Sequence, residues 1–400
     1  MFSTVCSPLS HPLPIVSNFK RMVMKKYAWY FLFIFLTACE LIVDIEVPFK
    51  EAQLTINSFF NADSLWTASL SINQGILDTS RARRIENGLI IIYEENIPVD
   101  TLTHIVNGVY RSDNEKPMLG RAYEIRASAS EYKPISGRSY IPMPSSVTKA
   151  DITESITIDG YPESVIRVSF TDDPLVTNYY QIFLEAEQDW IDPFTGVIKS
   201  IRSRLSIESD DPIVQNNNDV GYDGIFLRDI LFNGGEGIVS FKTSSSNTQF
   251  YPMIIVTLRT VSEDFYKYKI TGSVHDNSSD NPFAQPVNVY KNIDNGFGIF
   301  AGYSESNFTI GKISERPVIT SITPLKGRPG DHVIITGENF GDGFSFVIFK
   351  GIPYLAEGSV MRSTNDELEV IIPPKAISGK IYVSNGSKIT ASEVEFEVIE

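Results

Sequence analysis

Cysteine and histidine are both scarce in this sequence. Only Cys6 and Cys39 occur among 400 residues, so the long stretch after Cys39 has no cysteine for a disulfide or a thiolate metal site. Three histidines follow Cys39, at positions too far apart to suggest a metal triad: His104, His275 and His332. The sequence therefore predicts no metal site, no cofactor and a fold stabilised by the burial of apolar side chains.

Positive charge is also in short supply. The chain has 34 lysines and arginines against 49 acidic residues, a net charge of -15. Residues 1–38 contain four basic residues and no acid. The net charge of the rest of the chain is therefore -19, four units more negative than the total. Because such a surface repels phosphate groups, we expect no nucleic-acid partner.

The apolar run at 27–36 is too short to span a membrane. It follows Lys25 and Lys26 and falls well below the ~20 residues that a spanning helix needs. A basic start and a short apolar core are typical of a secretory signal. We interpret residues 1–38 as a leader and signal peptide, with the translation start at Met22 or Met24 rather than Met1.

The signal ends in a motif that resembles the lipobox of bacterial lipoproteins. In such proteins, small residues give the signal peptidase access to the backbone, and the cysteine thiol carries diacylglycerol. The resemblance implies that the mature chain begins at an acylated cysteine in the outer membrane. The matching residues are Leu36, Thr37 and Ala38, with lipidation at Cys39.

The chain after the signal has the pattern of an all-β protein. Short β-branched and aromatic runs, such as Leu89–Tyr93 and Val165–Phe170, alternate with Gly, Pro, Asn and Asp. One short helix is predicted, because Ser262 can cap it and two acids follow in its first turn. We expect that helix to end at Gly272.

The mature chain before its last 85 residues is predicted to consist of two parts. Gly120–Ala127 and Tyr132–Pro134 resemble the final strands of a transthyretin-like or carboxypeptidase-regulatory β-sandwich. The resemblance implies a first β-sandwich over about 50–145. Residues 150–312 contain further strands and predict a second β-sandwich or open barrel.

Three motifs identify a larger relationship. Val261–Tyr268, Asn281–Tyr290 and Asn292–Gly302 resemble a Bacteroidetes outer-membrane lipoprotein family, the domain of unknown function DUF4249, over residues 39–312. The resemblance implies an accessory of a TonB-dependent outer-membrane transporter. It assigns no catalytic residue.

The C-terminal residues 316–400 resemble a second family, the immunoglobulin-like IPT/TIG domain. Pro317–Pro324, Val333–Gly341 and Leu368–Pro374 stand in the order usual for that domain. The resemblance implies an Ig-like β-sandwich. In surface proteins such domains are usually spacers or supports.

No catalytic site is predicted. The sequence has no Gly-x-Ser-x-Gly elbow, and the acid pairs Asp172-Asp173 and Asp210-Asp211 are interpreted as solvated loop acids. Two aromatic residues are candidate ligand contacts, namely Trp190, which neighbouring acids and a proline place in a predicted loop, and Tyr222.

Three functions remain open at this point. The first is a non-catalytic accessory of a TonB-dependent transporter that captures or handles its ligand. The second is a surface glycan-binding or adhesion lipoprotein, with the IPT/TIG domain as spacer and a glycan or other nutrient as ligand. The third, with least support, is an envelope hydrolase. The sequence does not decide between the periplasmic and the cell-surface face of the outer membrane.

Overall fold

The computed structural model describes residues 51–73, 83–157, 159–214, 223–251, 253–279, 285, 287–311, 315–341 and 345–399. Apart from Glu51, these fall within one compact unit, Ala52–Glu400. Within those ranges, no helix has the length and hydropathy to cross a membrane. The predicted signal, the lipobox and Cys39 lie outside the described residues, and so does Tyr222.

Alternating apolar residues build the first half of the body. In its first strand Leu54, Ile56, Ser58 and Phe60 are buried, while the alternate residues are more exposed. Trp66 packs its ring against Phe60, at 4.9 Å between centroids, in the core of this half. The strands are β1 (Leu54–Phe60), β2 (Thr67–Ile72), β3 (Leu89–Glu94), β4 (Ile97–Val106), β5 (Val109–Arg111), β6 (Ala122–Ser128) and β7 (Ile135–Tyr140).

The second half has its own core. Its strands are β8 (Val147–Ile156), β9 (Pro162–Thr171), β10 (Tyr179–Ile191), β11 (Ile198–Leu205), β12 (Ile225–Arg228), β13 (Glu236–Ser244), β14 (Met253–Val261), β15 (Ile293–Asp294) and β16 (Phe297–Gly311). A three-stranded sheet in the order β13-β9-β8 packs against the larger sheet that contains β10 and β14. The buried residues of this core include Phe170, Tyr180 and Leu258.

Strand β16 joins the two halves. Residues 297–302 pair in parallel with β1, and residues 303–311 pair antiparallel with β14. Because β10 and β11 follow on the other side of β14, one continuous sheet runs through both halves. This sheet crosses the predicted division at about 145, and that division stays a prediction.

Among the described residues, three helical segments accompany the strands. A 3₁₀ turn at Asp229–Leu231 and helix α1 (Ser245–Phe250) were not predicted, whereas α2 (Glu263–Ser279) begins as expected. The Phe265 N–H donates to Ser262 Oγ over 3.3 Å, which is the predicted cap. The predicted end at Gly272 is wrong, because this glycine does not adopt the positive φ that terminates a helix.

The C-terminal strands form the predicted Ig-like domain. Val333, Ile335, Val347 and Phe349 are buried in its core. Thr390 Oγ1 donates to Pro317 O over 2.5 Å, which links the two ends of the curled sheet. The strands are β17 (Val318–Thr323), β18 (Lys326–Gly327), β19 (His332–Glu338), β20 (Phe346–Gly351), β21 (Ala356–Ser363), β22 (Glu367–Ile371), β23 (Ala376–Ser384) and β24 (Ile389–Val398). The all-β class and this domain are confirmed.

Candidate ligand-binding cleft

Two cavities of about 450 Å³ each are both lined by Tyr140, the last residue of β7. We call the pair the Tyr140 cleft. The first cavity is lined by residues 140–145, 171–173 and 176–178 together with Gly120 and Val261. The second is lined by Glu95, Asn96, residues 122–124 and 138–140, and Asp264.

The chain forms a cleft here because β7 stops and β16 changes partners at the same level. Pro142 and Pro144 have no N–H to donate, so the strand cannot continue as a paired one. The backbone of Tyr140 passes directly over Gly302, where any side chain would overlap its carbonyl oxygen. The next residue of β16, Tyr303, already pairs with Val261 of β14. The cleft therefore lies at the junction of the two halves.

Asp172 holds together the loop that forms one wall. Its carboxylate accepts hydrogen bonds from the Tyr180 hydroxyl (2.5 Å), the Asn178 side-chain amide (3.2 Å) and the Gly234 N–H (2.8 Å). Burial, followed by this hydrogen bond to Asp172, raises the pKa of Tyr180 and keeps it protonated. The interpretation of Asp172 as a solvated loop acid is therefore wrong, because the neighbouring Asp173 alone is exposed.

Asp264, in the first turn of α2, borders the second cavity. It accepts hydrogen bonds from Ser139 Oγ (2.8 Å) and the Tyr290 hydroxyl (2.7 Å). Burial raises the pKa of Tyr140, and the negative charges of Glu263 and Asp264 raise it further. Tyr140 is thus a neutral, partly exposed aromatic ring that lines both cavities.

Two further carboxylates close to Tyr140, Glu124 and Glu263, also have partners. Glu124 accepts from Arg126 Nε (2.5 Å) and lies 2.8 Å from Arg138, and these guanidinium groups, with Arg126 the larger influence, lower its pKa. Glu263 lies 2.9 Å from Lys267, whose hydrogen bond lowers the pKa of Glu263. Carboxylates with lowered pKa values are poor proton donors near neutral pH. Glu124 and Glu263 are therefore poor candidates for a general acid.

Large apolar side chains are exposed near the first cavity. They come from four segments, at 117–120, 141–145, 172–178 and 229–234, and two of them, Met143 and Val176, line the cavity itself. Met143 lies beside Gly120, and Pro174 lies against Gly234, so neighbouring loops are in contact. Leu175 is 87% exposed, an unusual environment for leucine. We call these residues the apolar rim: Met118, Leu119, Met143, Leu175, Val176, Ile230 and Leu231.

The buried Tyr266 of α2 predicts a specific loss of stability at alkaline pH. Burial raises the pKa of Tyr266, which packs against Tyr179 at 4.9 Å, to about 12. Tyrosines of the unfolded chain ionise near pH 10, so the folded state binds more protons between pH 10 and 12, and the free energy of unfolding falls across that range.

Tyr266→Phe should flatten this decline in urea unfolding curves measured from pH 8 to 12. Tyr161→Phe, at a side chain that is 71% exposed, should leave it unchanged. Equal slopes in the parent and Tyr266→Phe would contradict the assignment.

The structure places Trp190, one of the two predicted ligand contacts, away from this cleft, whereas Tyr222 lies outside the described residues. Trp190 lies within β10, opposite Lys199, and is 42% exposed. The prediction that Trp190 lies in a loop is wrong, because the turn begins only at Asp192. Trp190 lies near the far end of β10 from Tyr179, and it lines neither cavity. In the part of the chain that the structure describes, no three His, Cys, Asp or Glu side chains are grouped to hold a metal ion.

Sequence reasoning missed Tyr140, Met143 and Val176. A local signal exists, because Pro142 and Pro144 interrupt the strand pattern directly after Tyr140. The pattern does not reveal that four loops distant in sequence converge. Their convergence depends on the pairing of β16 with both β1 and β14.

Two solved Bacteroides structures are each similar to about a fifth of this chain. One is a structural genomics protein of unknown function from Bacteroides thetaiotaomicron, with 21% identity over 22% of this chain and 23% of that one, at a TM-score of 0.21. Another is an auxiliary nutrient binding protein from Bacteroides ovatus, with 27% identity over 21% of each chain, at a TM-score of 0.19. The chain thus spans about a fifth of the length of these structures, and such TM-scores assign no function. No curated protein matches it.

Family models match most of the chain. Residues 317–398 match the IPT/TIG domain, in agreement with the Ig-like fold of β17–β24. Residues 41–309 match the domain of unknown function DUF4249 and contain both halves of the body and the whole Tyr140 cleft. The chain belongs to the DUF4249 family and carries a C-terminal IPT/TIG domain.

Proposed function

We propose that this protein is a non-catalytic, lipid-anchored protein of the outer membrane that binds a nutrient ligand in the Tyr140 cleft as an accessory of a TonB-dependent transporter. The observation that carries the proposal is the apolar rim next to a cavity of about 450 Å³, which Met143 and Val176 of the rim also line. Exposed apolar side chains grouped in this way mark binding surfaces, and a cavity of this size accepts a small molecule.

The chemistry of the cleft indicates an amphipathic ligand. Met143, Val176 and the Tyr140 ring offer apolar contact, while the exposed Asp173 lies at the same wall. The acidic wall disfavours an anionic ligand. The structural hydrogen bonds that occupy Asp172 and Asp264 support a binding role rather than hydrolysis.

We propose that the rim itself contacts the transporter, so that the cavity faces the barrel. Two of its residues, Leu175 and Leu231, come from different loops and are 87% and 67% exposed. An aspartate at either position would place a charge in an apolar interface, which costs more than about 1.4 kcal/mol and weakens binding at least about tenfold.

A pull-down tests this proposal. The tagged full chain is recovered from its native bacterium in mild detergent, and co-purified proteins are identified by mass spectrometry. The parent chain should co-purify with a TonB-dependent transporter barrel in an equimolar amount. The double variant Leu175→Asp/Leu231→Asp should not co-purify with it. Ile156→Asp is the matched control, because Ile156 is 71% exposed on β8 and lies outside the rim.

Two results would count against the transporter role. Recovery of no barrel by the parent would contradict it directly. Retention of the parent on polysaccharide columns without a barrel would favour the alternative, a surface glycan-binding or adhesion lipoprotein. A glycosidase activity abolished by changing one acid would instead favour an envelope hydrolase.

A further inference from the structure

A buried carboxylate lies where the β10–β11 hairpin meets the IPT/TIG domain. The side chain of Asp189 is 0% exposed, and its Oδ2 lies 2.7 Å from Arg316 Nη1. The same oxygen accepts the Ile389 N–H over 3.0 Å. The Asp189 N–H donates to Ser387 O over 2.7 Å, so backbone and side chain both cross to the domain. We call these contacts and their neighbours the Asp189 joint.

A second ion pair completes the charge balance of the joint. Lys388 Nζ lies 2.8 Å from Glu187 Oε1 and 3.9 Å from Asp189 Oδ1. The hydrogen bond from Lys388 lowers the pKa of Glu187. Two acids from β10 therefore face two bases, Lys388 and Arg316, from the C-terminal part of the chain.

Apolar packing surrounds these charges. Ile191 of β10 is buried together with Tyr382 and Ile389 of the domain. At the outer margin the Phe194 and Tyr354 rings meet edge to face, 5.3 Å apart. Further apolar side chains that pack on this cluster are Ile198, Ile348, Leu355 and Ala391.

The turn of the hairpin is shaped to receive the domain. Gly196 has a φ of +70° and lies so close to the Tyr382 hydroxyl that a side chain at this position would overlap it. Asp192 Oδ1 accepts the N–H groups of Phe194 and Thr195, both at 2.9 Å, which fixes the turn through contacts within the hairpin itself.

We infer that the Asp189 joint fixes the IPT/TIG domain rigidly to the DUF4249 region, so that the domain is a constant part of the ligand-binding body and not a flexible spacer. A buried carboxylate is tolerated only when its partners stay in place, because separation would leave it uncompensated. Strand β10 begins at Tyr179, next to the cleft residue Asn178, and ends at Ile191 in the joint. At about 3.3 Å per residue, the domain is thus held roughly 40 Å from the cleft.

Distance measurements between spin labels test this inference. The chain has no cysteine other than Cys6 and Cys39, so the full chain with both replaced by serine accepts labels selectively. Thr153→Cys on β8 and Ser359→Cys on β21 place one label on each side of the joint, both at exposed positions. Electron–electron double resonance should give one narrow distance distribution. Asp189→Ala should replace that peak by a broad distribution.

Glu393→Gln is the matched control, because it removes an exposed acid from β24 without touching the joint, and it should keep the narrow peak. A broad distribution in the labelled parent would overturn the inference, and this result does not depend on whether Asp189→Ala folds. An unchanged narrow peak in a folded Asp189→Ala chain would overturn the role of Asp189.

Discussion

Replacement of Gly298 by alanine is expected to destabilise the DUF4249 region by about 4 kcal/mol or more. Gly298 has a φ of +104°, and a side chain there would overlap the carbonyl oxygen of Ile56 in β1. Gly298 pairs with Ile56 in the parallel ladder between β1 and β16. The Gly298 Cα and the Ile56 carbonyl oxygen both belong to backbones inside one sheet. Neither can therefore move without breaking hydrogen bonds between the two strands. The midpoint of urea unfolding should fall accordingly.

Gly160→Ala separates the steric effect from the strain of a positive φ. Gly160 has a φ of +85°, but the described residues leave open space within 4 Å of the point that a Cβ would occupy. Its substitution should cost only about 1–2 kcal/mol, the strain of a left-handed backbone. Equal losses for the two variants would show that β1 and β16 do not approach each other as closely as the structure indicates.

Much of the fold could be predicted because it depends on local patterns. The strands β3 and β9 follow from their β-branched runs, and α2 begins at the capping residue Ser262. The Ig-like domain follows from motifs that stand in a fixed order. In each case the signal lies within a few neighbouring residues, where alternation and capping act.

The rest depends on contacts between distant residues. Nothing in the β1 sequence indicates that its partner lies some 240 residues later, yet this pairing places the cleft. The family motif Asn292–Gly302 shows its physical role only in the folded chain. Asn292 donates to Phe300 O (2.7 Å) and to Arg138 O (3.0 Å), so it links β16 to β7. The sequence shows the asparagine but not the two strands that it connects.

The course of β16 also bears on the role of the IPT/TIG domain. The start of β1 lies beside residue 297, whereas the strand runs on to Gly311 and towards the domain that begins at 317. The N-terminal end of the body and the IPT/TIG domain therefore lie at opposite ends of β16, roughly 50 Å apart by its length. Asp189 of β10 contacts the domain through Arg316, so β10 and β16 both lead to it.

Cys39→Ser is expected to move the protein completely from the membrane fraction to the soluble fraction. A serine hydroxyl cannot form the thioether that carries diacylglycerol, so the variant lacks the acyl chains that would hold it on the membrane. Fractionation of cells, with mass spectrometry of the N-terminus, measures both the anchor and the cleavage site. Cys6→Ser is the matched control, because it changes the other cysteine of the chain and should leave the protein in the membrane. An intact N-terminus upstream of Cys39, or a Cys39→Ser variant that stays with the membranes, would contradict lipidation and with it the proposed position of the cleft at the outer membrane.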